Sequence, residues 1–506
     1  MLTSSKTPSG RKAAFTAPVP ESHFERFREH IIGQHHHYLT PYGWQKLLYA
    51  DWIASGRLYG PIEETMARSV GPFVGNTHTE TSECGRLMTA AYHQSHKRIK
   101  KHVNAGAGDV ILTTGFGMTG AVVKFQRILG LKTCSMFTGK PCLKESEKPV
   151  VFITHMEHHS NHTSWYETVA DVVVIPPGKD LLVDPGNLEK ELDRYRNRKY
   201  KIGSFTACSN VTGIRTPYHE MARIMHEHGG IAFVDFAASA PYETIDMHPA
   251  DPMQKLDAIF FSPHKFLGGP GASGVLIFDS ALYHSKAPDQ PGGGTVEWTN
   301  AWGGYRFSDN IEVREDGGTP GFLQAIRTAL AIGLKEQMGV EEMHHRENQL
   351  LSIAFKGLAA IPGLHILAGQ VTDRLGVLSF YAEGLHYNLF VRMLSDRFGI
   401  QVRGGCACAG TYGHYLLDVS PDRSKSITDK IDHGDLSDKP GWVRLSLHPT
   451  MTDTDLHFVL DAIEQVVHRH KAWEVDYEYN RHTNEFRNRK EVSNDLRIES
   501  WFKLST

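Results

Sequence analysis

The chain has 506 residues, of which 40% are hydrophobic, 22% charged and 10% aromatic, a balance that excludes disordered, coiled-coil and collagen-like classes. With 54 Lys and Arg against 57 Asp and Glu the formal charge is −3, so no surplus of cations marks a nucleic-acid surface. No run approaches the roughly 18–20 apolar residues of a membrane span, and six cysteines are too few for a disulfide scaffold, so a cytoplasmic protein without a membrane partner is expected.

The first twenty residues carry Lys6, Arg11 and Lys12, no acid and no continuous apolar stretch, which reads as a short leader, with an organelle-targeting segment as the alternative. Residues 1–75 are taken as an N-terminal segment packing on the rest. From Asp109 onward, short β-branched runs alternate with helix-like segments: 110–114, 150–154, 171–175, 202–207, 230–235, 258–262 and 274–278. Such continuous apolar runs suit strands covered on both faces, and the segments between them suit crossover helices. The expected fold class is therefore α/β, with a seven-stranded, mainly parallel sheet in a large domain over 76–325. Pro- and Gly-rich stretches at 288–294 and 317–321 break the pattern, and a helix is expected over 322–338. A smaller α/β domain over 326–475 follows, with strands near 364–367, 376–381 and 442–447 and helices near 387–398 and 453–468. Residues 476–506 are highly charged and read as an exposed tail, its end pinned by Trp501 and Phe502.

In an open α/β sheet, ligands bind beyond the carboxyl ends of the strands, so polar residues just after each run carry the functional argument. Gly115-Phe116-Gly117-Met118-Thr119-Gly120 follows the first run and opens an apolar helix, an arrangement that aims backbone N–H groups at an anion. It lacks both the Walker ending and the dinucleotide spacing. His155, His158, His159 and His162 follow the second run; on a helix they would share a face, so a metal site competes with an imidazole stacked on a planar ligand. Asp235 ends the fifth run, where a helix cap or a loop ion pair is the alternative. Ser262-Pro263-His264-Lys265 ends the sixth, placing a lysine where desolvation can free its amine for nucleophilic attack; a snorkelling surface lysine is the alternative.

The ordered set Gly117-Met118-Thr119, Glu157-His158-His159-Ser160-Asn161, Ser209-Asn210-Val211-Thr212-Gly213, Val234-Asp235 and Ser262-Pro263-His264-Lys265 resembles the class V aminotransferase branch of fold-type I pyridoxal-phosphate (PLP) enzymes. That branch includes cysteine desulfurases and selenocysteine lyases, and the resemblance runs from Tyr38 to His470. It implies PLP as cofactor, no resident metal and an amino acid as substrate. Lys265 would form the Schiff base and move the Cα proton, Asp235 would pair with the pyridinium nitrogen, and His158 would stack on the ring. Met118, Thr119, Ser262 and His264 would hold the phosphate. Thr319, in Gly317-Gly318-Thr319-Pro320, matches a threonine given to that cradle by a neighbouring subunit, which implies a homodimer with shared active sites. Asn210 would reach the ring hydroxyl or the substrate carboxylate, and Arg444 would grip that carboxylate. Ser55, in Ala54-Ser55-Gly56-Arg57, and His78, in Asn76-Thr77-His78, match segments on the substrate side.

Arg403-Gly404-Gly405-Cys406-Ala407-Cys408 resembles the desulfurase loop. Counted from Arg403, Cys408 falls on the persulfide-forming position, with Arg403 favouring its thiolate, and Cys406 falls where that family often has histidine. A metal-binding pair, a redox pair and inert thiols are the other readings of the two cysteines. Two departures stand out: Ala238 replaces a glutamine that bonds the ring oxygen, with Ser239 or Asn210 as stand-ins, and 410–440 is unusually long, as a lid, a partner surface or a mobile insertion. The expected reaction is sulfur removal from L-cysteine through a Cys408 persulfide, giving alanine, with a sulfur-acceptor protein as a further partner. The alternatives are another class V reaction (transamination, lyase cleavage or epimerisation) that does not use the cysteine and, more remotely, a histidine-rich metalloprotein.

Overall fold

The structure is a computed structural model describing residues 20–77, 79–132, 143–491 and 495–504. The leader up to residue 19, His78, Cys134 and Cys142 lie outside the described residues. All seven apolar runs are strands: β1 Asp109–Thr114, β2 Val150–Thr154, β3 Asp171–Ile175, β4 Lys201–Thr206, β5 Ile231–Asp235, β6 Ala258–Phe261 and β7 Gly274–Asp279. They form one sheet in the order β1-β7-β6-β5-β4-β2-β3. Four neighbouring pairs are parallel, whereas β7 runs antiparallel to both β1 and β6. The exception has a local cause. Between β6 and β7 the chain makes only a short 3-10 turn at Pro263–Lys265 and further tight turns up to Ala272, with no helix that could carry it back across the sheet, so it returns alongside itself.

The runs are continuously apolar because successive side chains enter different cores. Val150 and Phe152 join one buried cluster, while Val151 and Ile153 join another on the opposite face. Helix α1 (Glu83–His102) and helix α2 (Met118–Ile128) belong to the layers that cover the sheet. In α2, Phe125 sits 5.0 Å from Phe233 and 4.9 Å from Phe278, ring centre to ring centre, and burial of such a ring contributes about 1.5–3 kcal/mol. This contact packs α2 against β5 and β7.

Helix α3 (His159–Tyr166) follows β2, and α4 (Phe322–Met338) and α5 (Val340–Ala359) lead into the smaller domain. There β8 Leu364–Ile366, β9 Val377–Ala382, β10 Arg403–Gly405 and β11 Trp442–Ser446 form an antiparallel sheet in the order β8-β9-β11-β10, backed by α6 (Tyr387–Phe398) and, further on, a helix over Asp453–Trp473. The segment 410–440 is no bare insertion: it holds the helices Gly410–Leu416 and Pro421–Asp432, the second capped by Ser420.

The reading of 476–506 as an exposed tail needs correction. Tyr477–Asn480 and Glu485–Asn488 pair as an antiparallel hairpin, with Tyr477 and Asn488 buried. Asp476, just before it, accepts from Tyr42 Oη at 2.8 Å and Arg397 Nη2 at 2.7 Å, while Tyr477 enters the hydrophobic core and Phe486 packs against it, so polar contacts and apolar burial together dock it. Trp501 and Phe502 pin nothing; they are 66% and 82% exposed. Among the described residues no helix is long and apolar enough to cross a membrane.

The N-terminal segment straps the two domains together. Leu48–Tyr49 pairs in parallel with Ile400–Gln401 of the smaller domain. A few residues on, the Gly56 N–H donates to the His264 carbonyl at 2.9 Å and the Gly268 N–H to the Arg57 carbonyl at 2.7 Å. Gly56 is obligatory here, because a Cβ would lie 1.9 Å from the Phe266 carbonyl oxygen.

Candidate active site

The carboxyl ends of β1, β2, β4, β5 and β6 open onto a cavity of about 480 Å³, closed on its other side by the smaller domain. Met118, Thr119, His158, Asn210, Asp235, Ser262, His264, Lys265, Arg403, Cys408 and Arg444 all line it, so eleven of the fourteen residues singled out in the sequence converge. Ser55 and Thr319 do not line it, and His78 lies outside the described residues. The Ser55 hydroxyl is turned to the backbone, donating to the carbonyls of Gly56 at 3.2 Å and His264 at 3.4 Å. Thr319 donates to Asn76 Oδ1 at 3.4 Å.

The glycine-rich turn forms an anion cradle. Gly117 begins α2 with φ +146°, and a Cβ there would meet His264 Cε1 at 2.8 Å and Ser262 Oγ at 3.0 Å, so the space in front of the helix stays open only for glycine. The Met118 N–H donates to Ser262 Oγ at 2.8 Å, and Thr119 and Ser160 share a hydroxyl hydrogen bond of 2.6 Å. These groups surround the positive end of an eleven-residue helix.

Lys265 is partly buried at the end of β6, and desolvation, opposed by the Asp235 carboxylate, brings its amine down to about 8. Asp235 is 3% exposed; burial pushes it up to about 6, with the Ala237 N–H (2.8 Å) and Lys265 pulling the other way. His158 is held neutral. Burial first, then Lys265, takes its pKa to about 3, and its Nδ1 accepts the Ser160 N–H at 3.1 Å, leaving the ring proton on Nε2. The four histidines do not share a helix face. His155 precedes the helix and bonds the Leu181 carbonyl, and His158 caps α3 from outside. Among the described residues no group of His, Cys, Asp and Glu is placed to hold a metal ion.

Arg403 and Arg444 stand directly opposite each other on β10 and β11, a like-charge pairing that is unfavourable by itself. Asp51 resolves it. Its Oδ1 accepts from Arg444 Nη2 at 2.7 Å and its Oδ2 from Arg403 Nε at 3.1 Å, leaving one net positive charge facing the cavity. Arg444 also donates to the Asn210 carbonyl at 3.1 Å, and its Nε is buried without a partner among the described residues. Asn210 Nδ2 donates to the Ala407 carbonyl at 2.8 Å while its Oδ1 is buried and unpartnered. Of the two stand-ins for the missing glutamine, Asn210 lines the cavity and Ser239 does not.

Asp51 escaped the sequence reading, and Glu157 and His159, quoted there within the motif, take on roles it did not assign. Asp51 carries no local signal, being far in sequence from both arginines. Glu157, pushed up to about 8 by complete burial, accepts from Thr154 Oγ1 at 2.7 Å, Asn161 Nδ2 at 2.8 Å and the Thr206 N–H at 2.8 Å, so it ties β2, α3 and β4 together beneath the cavity. His159 binds the cysteine loop twice: its N–H donates to the Cys408 carbonyl at 2.8 Å and its Nε2 accepts the Gly410 N–H at 3.0 Å.

A family model described as aminotransferase class-V matches residues 49–459. The chain is 29% identical over 367 residues to a probable cysteine desulfurase of Halalkalibacterium halodurans, covering 72% of this chain and 84% of that one. A probable cysteine desulfurase of Staphylococcus epidermidis is likewise 29% identical, over 371 residues, with the same coverage of both chains. Among solved structures, an apo cysteine desulfurase from Thermococcus onnurineus superposes with a TM-score of 0.70 at 22% identity, over 88% of this chain and 98% of that one. The Escherichia coli cysteine desulfurase CsdA, in an S-sulfonic acid form, does so with a TM-score of 0.68 at 21% identity, again over 88% and 98%. These likenesses show the fold-type I architecture that the resemblance implied, and its sheet is the one expected from the strand pattern.

Proposed function

Because the chain belongs to the aminotransferase class-V family, we propose that it is a PLP-dependent cysteine desulfurase, taking sulfur from L-cysteine onto Cys408 and releasing alanine. The observation that carries this reading is the single cavity that joins Lys265, Asp235 and His158 from the large domain to Cys408, Arg403 and Arg444 from the smaller one.

The residues present fit PLP. Gly117, Met118, Ser262 and His264 leave an open cradle for its phosphate, Lys265 offers an amine to its aldehyde, and Asp235 offers a carboxylate to its ring nitrogen. The unpartnered Asn210 Oδ1 supplies an acceptor for its hydroxyl. When bound, PLP supplies an electron sink for the carbanion at the substrate Cα. Arg444 and Arg403 receive the substrate carboxylate, Arg444 with an Nε–H still free. Lys265, with its amine near neutrality, takes the Cα proton and returns one. Neutral His158 covers the ring face without adding charge. Cys408 Sγ then bonds the substrate sulfur as the substrate C–S bond breaks, and the electron pair left on carbon takes a proton to complete the methyl group of alanine.

A homodimer with shared sites is part of the proposal. Thr319 stands outside its own cavity, and Phe116 on the cavity wall is 95% exposed, an apolar rim suited to a second copy. A thiol protein as sulfur acceptor and a cytoplasmic setting complete the reading. The test is release of sulfide and alanine from L-cysteine by the PLP-loaded protein under reducing conditions. Both products are expected from the wild type, and neither from Cys408→Ser, although that variant keeps its cofactor absorbance. Undiminished turnover by Cys408→Ser would favour another class V reaction.

A further inference from the structure

The far side of the cysteine loop is also hollow. Cys406 and Cys408 sit at the first and third positions of a four-residue turn, closed by the Ala409 N–H donating to the Cys406 carbonyl at 3.1 Å. Ala407 has φ +50° and Cys408 φ +57°, which gives the turn two left-handed central residues, a form ordinarily built from Asn-Gly or a similar pair. A turn keeps its ends within about 7 Å, so the two thiols share one tight bend.

The two thiols do not face the same spaces. Cys408 lines the Lys265 cavity and also an outer groove of about 730 Å³, which runs between the loop, α6 and the C-terminal hairpin. Among the described residues, Cys406 lines the groove and not the cavity. Arg403 lines both, which puts a cation where the two spaces meet. Lys439 and Arg487 continue the positive charge along the groove, accompanied by Glu485 and Glu491. Cys408 is therefore a door between two compartments, and Cys406 stands outside it.

We propose that Cys406 is a relay thiol, which takes the sulfane sulfur from Cys408 and presents it in the groove to an acceptor thiol. The proposal rests on the desulfurase reading above. Cys406 Sγ attacks the outer sulfur of the Cys408 persulfide; an S–S bond forms at Cys406 as the S–S bond at Cys408 breaks. The proton of the Cys406 thiol passes to the departing Cys408 thiolate. One persulfide replaces another, so no outside oxidant or reductant is consumed, and Cys408 is returned to the cavity for the next turnover.

The test gives the PLP-loaded protein a single equivalent of L-cysteine, traps thiols and persulfides by alkylation, and locates the added sulfur by tandem mass spectrometry. Added sulfur on Cys406 is expected in the wild type. It should be lost completely in Cys408→Ser, and in Cys406→Ser it should remain on Cys408. Added sulfur on Cys408 and none on Cys406 in the wild type overturns the relay but leaves the desulfurase reading standing. Loading of Cys406 in Cys408→Ser also overturns it, because Cys406 would then be the direct nucleophile. If the wild type forms no alanine, the desulfurase reading itself fails.

Discussion

Asp235 is buried and Lys265 partly so, and each prefers its neutral form more than it would in water. The two shifts act on stability in separate pH windows. For Lys265 the folded value of about 8 lies below the ordinary 10.5, so the cost of burial is fully present below pH 8 and is relieved as pH rises from 8 to 10.5. For Asp235 the folded value of about 6 lies above 3.8, so stability is lost as pH rises from 3.8 to 6 and stays lost above it. At neutral pH the cofactor-free protein carries both costs. Lys265→Met should therefore make it more stable by about 2 kcal/mol at pH 7. Thermal unfolding of the cofactor-free proteins at several pH values checks this: the gap between variant and wild type should close through pH 8–10.5, and a gap that is absent or independent of pH would refute the account. Asp51 acts by position: a buried carboxylate hydrogen-bonded to two guanidinium groups that could not otherwise face each other.

At the scale of elements, the cysteine loop is a left-handed turn tied to the first turn of α3 by His159. Replacing His159 with Ala removes the acceptor for the Gly410 N–H and loosens Cys408. Since small displacements of a reacting group are costly, kcat for L-cysteine should fall by about tenfold or more while cofactor absorbance is unchanged. Steady-state kinetics alongside the absorbance spectrum separates this from loss of cofactor.

The strands were legible because continuous apolar runs have few other uses, and the residues following them were legible because strand ends are where such a sheet meets its ligand. Asp51 was not. A carboxylate that acts on two arginines some 350 and 390 positions away leaves no local pattern. The hairpin at 477–488 was hidden for a different reason: its outward residues, Glu478, Glu485 and Arg487 among them, are those of a solvated tail, and only Tyr477, Asn484 and Asn488 are buried. The antiparallel turn of β7 follows from the missing crossover helix, which a list of strands does not reveal.

The whole molecule leaves apolar surface uncovered outside the cavity. Trp302 is 90% exposed next to the antiparallel pair Val296–Thr299 and Tyr305–Phe307, and the Gly318 N–H donates to the Gly293 carbonyl at 2.8 Å, which fastens the Thr319 loop to the same region. Light scattering should give twice the chain mass for the wild type, and Trp302→Asp should shift it to the single-chain mass with loss of activity; a monomeric, active wild type would remove the shared-site arrangement.

The strap at 48–57 has a thermodynamic consequence. It hydrogen-bonds to the smaller domain through Gln401 and Ser446 and to the larger through His264 and Gly268. Neither domain can open without stripping the strap of half its partners, so the free energies of local opening in the two are linked. The cavity between them is thus held at the junction of a single cooperative unit, in which protection from hydrogen exchange on one side depends on the integrity of the other.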